Sequence, residues 1–312
     1  MKSKIKKKTS AQPKSSPINF STIKKQIEKQ LKSGQITQKQ VPYLQQREPL
    51  KQHLASEKLR KKAVPHNGDW VQTGIKGFDE LLQKGIPKGA SILVCGGPGS
   101  GKTIFGLQTL AYAVAQGEKC LYMTFEETPD RLIAHMADFG WDAKKMIKDG
   151  KLLIKKYNPY DITRQVEAMM EKAKGELLID VKPLLFPDGF TPDRIVVDSL
   201  SAIAAGFVGK EEVYRIYIEQ LFALLESFST TSFLISETTE LSRRLSVSGI
   251  EEFMADGVIL VYNIKHGNVR ESAIECLKLR GAGFQKKIVA MQIIEGKGIE
   301  VYPEQEVFSD VE

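Results

Sequence analysis

Short apolar runs alternate with stretches of helical periodicity along the chain from about residue 70 onward. Apolar runs bounded by polar or glycine-containing turns predict buried strands, whereas apolar residues spaced three and four apart predict helices that bury one face. Strands that alternate with helices predict an α/β fold with a mostly parallel sheet. The predicted strands are Ala90–Cys95, Lys119–Phe125, Leu152–Lys156, Arg194–Asp198 and Thr231–Glu237, and the predicted helices are Ile104–Gln116, one that begins at Thr128-Pro129, Ile162–Lys174 and Glu212–Phe228.

The end of the chain has a different pattern. Strand-like segments follow one another there, separated by polar or glycine-containing turns, and strands joined by short turns pair antiparallel. The pattern therefore predicts an antiparallel extension of the sheet. Its segments are Val258–Tyr262, Ser272–Leu279, Lys287–Ile294 and Ile299–Tyr302.

The first 64 residues lack the apolar content of the rest. Residues 1–62 hold 17 Lys or Arg and 3 Glu, a net charge of +14, so the remaining 250 residues of this +7 chain carry −7. We expect residues 1–64 to form a largely disordered basic arm with short helices, and residues 65–312 to form the folded domain. A basic arm suggests an anionic partner, such as nucleic acid, an acidic protein or a membrane surface. The alternative is a solvated tail that only keeps the protein soluble.

Cysteine usage and hydropathy set the expected environment. The three cysteines, Cys95, Cys120 and Cys276, lie far apart within apolar runs, so we expect small buried side chains in a reducing compartment rather than disulfides or a zinc site. No apolar run approaches the roughly 18 residues that a membrane-spanning helix needs. These features predict a soluble, cytoplasmic protein.

The glycine-rich segment after the first predicted parallel strand carries the clearest chemistry. Its sequence, GGPGSGKT, has two glycines five apart followed by Lys and Thr. Glycines let the backbone N–H groups curl around a phosphate chain, the lysine approaches the β and γ phosphates, and the threonine hydroxyl is a ligand for Mg²⁺. The segment predicts ATP and Mg²⁺ binding by Gly96, Gly97, Pro98, Gly99, Ser100, Gly101, Lys102, Thr103 and Ile104.

Carboxylates end two further predicted strands. Glu126 and Glu127 follow Lys119–Phe125, and Asp198 ends an apolar run about a hundred residues after the glycine-rich loop. Ligands of open α/β sheets bind at the carboxyl ends of the strands. Asp198 is therefore a candidate to hold Mg²⁺, and the glutamates are candidates to orient or deprotonate the attacking water. Alternatively, the glutamates only complement the dipole of the helix that follows.

The segment before the glycine-rich loop carries a family resemblance. Thr73-Gly74, Gly77-Phe78-Asp79, Leu81-Leu82 and Gly85-Ile86-Pro87 resemble the start of the ATPase domain of the KaiC family, within the RecA-like superfamily, and the similarity runs from about Trp70 to Pro303. The resemblance implies a RecA-like fold and a homo-oligomer, a hexameric ring. It also implies that Glu126 and Glu127 are catalytic. One phosphate loop occurs in this sequence, so we expect a single-domain member.

The resemblance also assigns a role within the β-rich end. Lys278 and Arg280 match a Lys-x-Arg that reaches across the subunit interface to the neighbour's γ-phosphate in KaiC-type domains. The sequence then departs from the family, because Gly281–Phe284 reads Gly-Ala-Gly-Phe where a small polar residue and His are common. Alternatively, Lys278 and Arg280 lie on the solvent-exposed face of an edge strand, where their charges protect the strand from aggregation.

Three functions remain open from the sequence. The first is an ATPase switch whose hydrolysis changes ring assembly or partner binding, and the second is an autokinase, with Ser246, Ser248 and Ser309 as acceptors. The third is a RecA-paralogue-like ATPase that binds single-stranded nucleic acid. Arg243 and Arg244, in a polar segment after Thr231–Glu237, are candidates for contacting its phosphates.

Overall fold

The structure is a computed structural model that describes residues 69–172, 189–238, 245–246, 248–266 and 268–306. The basic arm predicted for residues 1–64, Arg243 and Arg244 lie outside the described residues. The strands are β1 (Trp70–Val71), β2 (Ile86–Pro87), β3 (Ser91–Gly96), β4 (Cys120–Thr124), β5 (Leu152–Lys156), β6 (Arg194–Asp198), β7 (Thr231–Glu237), β8 (Gly257–His266), β9 (Val269–Leu279), β10 (Val289–Ile294) and β11 (Gly298–Glu306). The helices are α1 (Phe78–Leu81), α2 (Lys102–Ala115), α3 (Pro129–Asp138), α4 (Ala143–Lys148), α5 (Pro159–Lys172), α6 (Leu200–Ala205), α7 (Glu211–Ser227) and α8 (Glu251–Met254).

Within the described residues, nine strands form one sheet in the order β11-β10-β9-β8-β3-β7-β6-β4-β5. The pairs from β8 to β5 are parallel, and β9, β10 and β11 add antiparallel strands on the other side of β8. The predicted parallel sheet with an antiparallel extension is confirmed. Because β3, β7, β6 and β4 run in one direction, the residues that follow them meet at the same sheet edge, where ligands of such sheets bind.

The central parallel strands of the sheet are covered on both faces. One apolar cluster packs α1, α2 and α3 against one face, and a second packs α5, α6 and α7 against the other. Along β3, Val94 belongs to the first cluster and Leu93 and Cys95 to the second. This explains why the parallel strands read as continuous apolar runs rather than as alternating ones. All three cysteines are buried and free, as predicted, and burial raises the pKa of each thiol.

The β8–β9 hairpin is longer than the sequence pattern indicated. The two strands pair from Gly257 with Leu279 to His266 with Val269, whereas β3 supports β8 only from Gly257 to Val261. Beyond Val261 the hairpin has no support from β3, so its polar residues need not follow the pattern of a buried strand. The hydrophobic pattern therefore predicted only its inner part.

The residues before β3 are fixed by a buried turn. The carboxylate of Asp79 accepts hydrogen bonds from Thr73 N (2.8 Å), Thr73 Oγ1 (2.7 Å) and Gly74 N (2.9 Å). Gly77 has φ +80°, and a Cβ there would lie 2.0 Å from the carbonyl oxygen of Val301 in β11. The motif that carried the family resemblance therefore has a structural purpose, which is to join the start of the domain to its last strand.

Arg194, at the start of β6, is a buried arginine that forms an ion pair with the partly exposed Glu118. Its side chain is 1% exposed, and Nε and Nη2 donate to the two carboxylate oxygens of Glu118 at 3.0 and 2.7 Å. Nη1 donates to the carbonyl of Gln72 at 2.8 Å. These contacts connect the segment before β3 and the turn after α2 to β6, an inner strand of the sheet.

We expect Arg194→Met to lower the free energy of unfolding by about 3–5 kcal/mol, because it leaves Glu118 and the carbonyl of Gln72 without their charged partner. Denaturant unfolding measures the change. Arg215→Met is the matched control, since Arg215 forms an exposed pair with Glu219 on α7 and its loss should cost less than about 1 kcal/mol. Equal losses in the two variants would contradict the structural importance of Arg194.

The helices within the described ranges include none that is long and apolar enough to cross a bilayer.

Candidate functional site

The glycine-rich loop connects β3 to α2, as predicted. Gly99 and Gly101 have φ of +73° and +99°, in the left-handed region that side chains disfavour. At Gly96 a Cβ would lie 2.3 Å from the carbonyl oxygen of Val261 and 2.6 Å from Ser100 Oγ. Glycine is required here by close approach as well as by conformation. The loop thereby presents its backbone at the amino end of α2, where anions bind.

Lys102, the first residue of α2, is folded onto this loop. Its side chain is buried, and Nζ donates to the carbonyl of Gly97 at 2.8 Å. Burial lowers the pKa of Lys102, while the charges of Glu237, Asp198 and Glu126 act in the opposite direction. The ammonium therefore lies among carboxylates that end three different strands.

Thr103 and Asp198 are brought into direct contact. Thr103 Oγ1 donates to Asp198 Oδ2 at 3.0 Å, although 95 residues separate them in the chain. The same oxygen accepts a bond from the hydroxyl of Tyr122 at 2.6 Å. Burial raises the pKa of Asp198, the bonds from Tyr122 and Thr103 lower it, and the charge of Glu126 raises it again. A carboxylate and a hydroxyl are oxygen donors of the kind that Mg²⁺ prefers, so these residues fit that ion.

The two glutamates after β4 have different surroundings. Glu126 Oε1 accepts a hydrogen bond from Ser199 Oγ at 2.7 Å, next to Asp198. Glu127 Oε2 lies 3.6 Å from Arg131 Nε and 3.8 Å from His135 Nδ1, both on α3. The parallel pairing of β4 with β6 places Thr124 beside Asp198, so the ends of these two strands are neighbours.

Helix α3 begins at Pro129, with Asp130 in its first turn, as predicted. The helix thus starts immediately after the glutamate pair, which is the arrangement required by the alternative that these acids only complement its dipole.

Three residues of this site had not been identified from the sequence. Tyr122 is a fully buried hydroxyl in an aliphatic strand, Glu237 ends β7, and Ser199 follows Asp198 across a cis peptide bond. Glu237 could have been found, because it ends a predicted strand just as Asp198 does. Tyr122 and Ser199 carry no signal of their own in the sequence, since only the strand order β6-β4 puts Tyr122 beside Asp198 and Ser199 beside Glu126.

Lys278 and Arg280 lie at the opposite end of the sheet. Gly257 pairs with both Leu279 and Ile92, so the end of β9 is level with the start of β3, whereas the phosphate loop follows the end of β3. From Ile92 to Gly96 the strand rises about 13 Å. This distance, and the loop beyond it, exceed the reach of an arginine side chain. Lys278 and Arg280 therefore do not reach the phosphate loop of their own chain.

These two residues, called the finger below, contact one segment of their own chain. Lys278 Nζ donates to the carbonyls of Glu252 (2.9 Å) and Ala255 (2.6 Å). Arg280 Nη2 donates to the carbonyl of Phe253 (2.9 Å), and the side chain of Arg280 remains 48% exposed. Both side chains thus point to the same side of the strand, as their alternation predicts.

The edge-strand alternative for Lys278 and Arg280 depends on whether β9 has a partner strand on both sides at these residues. β9 is paired by β8 along its whole length, but β10 covers only its residues Ser272–Ile274. Lys278 therefore lies where β9 is paired on one side within the described sheet, and this alternative stays open.

Comparisons with known proteins agree with this geometry. A family model described as "ATPase: KaiC" matches residues 71–306. The circadian clock protein KaiC3 of a Synechocystis strain is 34% identical over 233 residues, which are 75% of this chain and 45% of that protein. The circadian clock oscillator protein KaiC of Synechococcus elongatus is 30% identical over 244 residues, 75% of this chain and 44% of that protein. This chain thus spans less than half the length of these curated relatives.

Among solved structures, a KaiC-like protein from the hyperthermophilic archaeon Pyrococcus horikoshii OT3 has a TM-score of 0.61 and 30% sequence identity, and the match covers 75% of this chain and 99% of that one. The archaeal protein matches the described domain as a single unit, and the family match covers nearly the range expected from the sequence. The chain belongs to the KaiC ATPase family and has its RecA-like fold.

Proposed function

We propose that this protein is a Mg²⁺-dependent ATPase that acts as a ring oligomer, with each active site completed by the finger of a neighbouring subunit. One observation carries the proposal. The phosphate loop, Thr103, Asp198 and the glutamate pair meet at one end of the sheet, while Lys278 and Arg280 lie at the other end.

In this proposal the chain's own residues bind and orient the reactants. The backbone N–H groups of the loop and the ammonium of Lys102 bind the triphosphate. Thr103 and Asp198 would hold Mg²⁺, which would neutralise charge on the triphosphate. Glu126 and Glu127 orient the attacking water and accept its proton.

The placement of the finger supports a ring. Head-to-tail contact between identical subunits would present the finger end of one sheet to the nucleotide end of the next, and such contacts form a ring when the rotation between subunits closes. The hexamer implied by the family resemblance is one such closed ring. The arginine of the neighbour would then stabilise charge on the γ-phosphoryl group during transfer.

The autokinase alternative gains no support from Ser246 and Ser248, the two candidate acceptors within the described residues. Ser246 and Ser248 donate hydrogen bonds to the carboxylate of Glu251 at 2.8 and 2.6 Å, so a phosphate on either would face a buried anion. Ser309 lies outside the described residues. Nucleic-acid binding by Arg243, Arg244 and the basic arm also stays a prediction, since these residues are not described.

The rate of phosphate release tests the proposal directly. We expect hydrolysis that requires Mg²⁺ and whose rate per subunit rises with protein concentration as rings assemble, with the mass in solution measured in parallel. Stimulation by single-stranded DNA would favour the nucleic-acid alternative instead. No ATP-dependent phosphate release at any concentration would contradict the proposal.

Binding is tested separately at Lys102. We expect Lys102→Ala to weaken ATP binding about 10- to 150-fold, which corresponds to the roughly 1.5–3 kcal/mol of a charge-assisted contact. Calorimetry measures the affinity. Lys151→Ala is the control, because Lys151 also donates to a backbone carbonyl, that of Gly117, but lies near the other end of α2. Unchanged affinity in Lys102→Ala would refute the assignment of the loop.

A further inference from the structure

The carboxylate of Glu251 is completely buried and accepts four hydrogen bonds. Oε1 accepts from the hydroxyl of Tyr214 at 2.7 Å, and Oε2 accepts from Ser246 Oγ (2.8 Å), Ser248 Oγ (2.6 Å) and Ile250 N (3.1 Å). A buried charge is tolerated when its lone pairs are satisfied in this way. Burial by itself would raise the pKa of Glu251, yet these hydrogen bonds outweigh it and hold the pKa below its usual value. The side chain is therefore an ionised anchor.

Glu251 begins the segment on which the finger rests. Residues 251–256, called the platform below, comprise α8 and the two residues that follow it. The platform supplies every acceptor named above for the finger, namely the carbonyls of Glu252, Phe253 and Ala255. The carboxylate of Asp256 also forms an ion pair with Arg280 Nη1 at 3.6 Å. The backbone carbonyl of Asp256 accepts a hydrogen bond from the backbone N–H of Arg280 at 2.8 Å.

The two ends of the platform are fixed differently. At its end, Ala255 is buried in the second apolar cluster, and Asp256 bonds to Ser91 through its backbone N–H (2.8 Å) and through its carboxylate (3.1 Å). At its start, the platform has one helical turn, and short helices are not stable in isolation. Phe253, in the middle of that turn, is 74% exposed. Glu251 links the turn to the long helix α7 through Tyr214, and to the chain that precedes it through Ser246 and Ser248. A shift of the platform would carry the carbonyls that hold Lys278 and Arg280 with it.

We infer that Glu251 is a positioning residue for the finger, because its buried carboxylate fixes the platform from which Lys278 and Arg280 reach the nucleotide of the neighbouring subunit. This inference rests on the proposed ring mechanism. The hydrogen bonds of the Glu251 carboxylate involve none of the residues proposed to bind ATP, so its loss should change turnover rather than ATP affinity. A misplacement of about 1 Å in a catalytic group is enough to lower a rate by about 10²-fold.

Two substitutions test the inference. We expect Glu251→Ala to lower kcat about 10²-fold with ATP affinity unchanged. Glu251→Gln keeps an acceptor for the donors at Oε2 but loses the charge, so we expect a smaller decrease of about tenfold. If the alanine variant does not fold, the glutamine variant decides alone. Wild-type kcat in the folded variants would overturn the inference.

The matched control is Asp79→Asn, which alters another carboxylate that accepts three hydrogen bonds but contacts neither the platform nor the phosphate loop. It should retain kcat even if its melting temperature falls as far as that of Glu251→Gln. Equal losses of kcat in the two would mean that Glu251 acts only through stability, and would overturn the inference.

Mixing identifies the side of the interface on which Glu251 acts. A Glu251→Gln subunit keeps its own phosphate loop, and a Lys102→Ala subunit keeps its finger, so co-assembled mixtures should regain turnover above the sum of the separate proteins. Absence of this gain in verified mixed rings would overturn the inference.

Arg280→Ala distinguishes the proposed ring mechanism from the proposed role of Glu251. If that variant retains full activity, the ring mechanism fails; if it is inactive while the Glu251 variants are normal, only the role of Glu251 fails.

Discussion

Arg280→Ala should abolish most ATP hydrolysis while leaving ATP binding largely intact. An arginine supplied by a neighbouring subunit to the γ-phosphoryl group is worth about 10³- to 10⁵-fold in rate, because it stabilises charge that develops only during transfer. The side chain is half exposed and hydrogen-bonds to a backbone carbonyl, so its loss should cost little stability. Single-turnover phosphate release and ATP titration measure the two effects. Arg215→Ala, on the exposed side of α7, is the control that should keep the wild-type rate.

Mixing Arg280→Ala with Lys102→Ala distinguishes action between subunits from action within one. The first protein keeps a phosphate loop and the second keeps a finger, so their shared interfaces should hydrolyse ATP although each protein alone is inactive. If the two co-assemble and remain inactive, the finger assignment is wrong, and the edge-strand alternative for Lys278 and Arg280 takes its place.

Changing both Glu126 and Glu127 to Gln should slow turnover about 10²- to 10⁴-fold without loss of ATP binding. Carboxylates that orient the water and take its proton contribute in this range, and an amide cannot accept that proton. Rapid-quench measurement of phosphate release together with calorimetry tests both parts. Asp130→Asn is the matched control, since Asp130 lies in the first turn of the same helix and shares only the dipole interaction.

The two glutamates have different partners in the structure. Glu126 contacts Ser199 beside Asp198, whereas Glu127 faces Arg131 and His135. If the double variant hydrolyses ATP at the wild-type rate, both acids serve only the start of α3. The alternative left open by the sequence would then be correct.

The sequence alone was sufficient for the fold class and most elements. Mainly apolar runs predicted β3, β4, β6 and β7, because strands covered on both faces bury most of their side chains, and the apolar start of Leu152–Lys156 predicted β5. The predicted ends lie within about two residues of the observed ones for these strands. The position of the glycine-rich loop between β3 and α2 was also predictable, since glycine spacing encodes its local backbone geometry.

Only the tertiary structure decided which distant residues meet. Strand order puts Tyr122 of β4 against Asp198 of β6, and it puts Glu237 of β7 among the charges that act on Lys102. Nothing local in the sequence specifies that order, because it depends on how the connections cross the sheet. Likewise, the register of β8 with β9 moves the finger to the end of the sheet away from its own phosphate loop.

Glu251 shows the same difference between what the local sequence predicts and what the tertiary structure decides. In the sequence it is one of two adjacent glutamates before a short apolar stretch, which is the usual appearance of solvated helix-starting acids. Its burial becomes visible only when Tyr214, Ser246 and Ser248 converge on it from separate parts of the chain. The sequence determined which segments form strands, helices and the phosphate loop, because these depend on neighbours along the chain. The partners of each charged side chain were decided by packing, because they depend on neighbours in space.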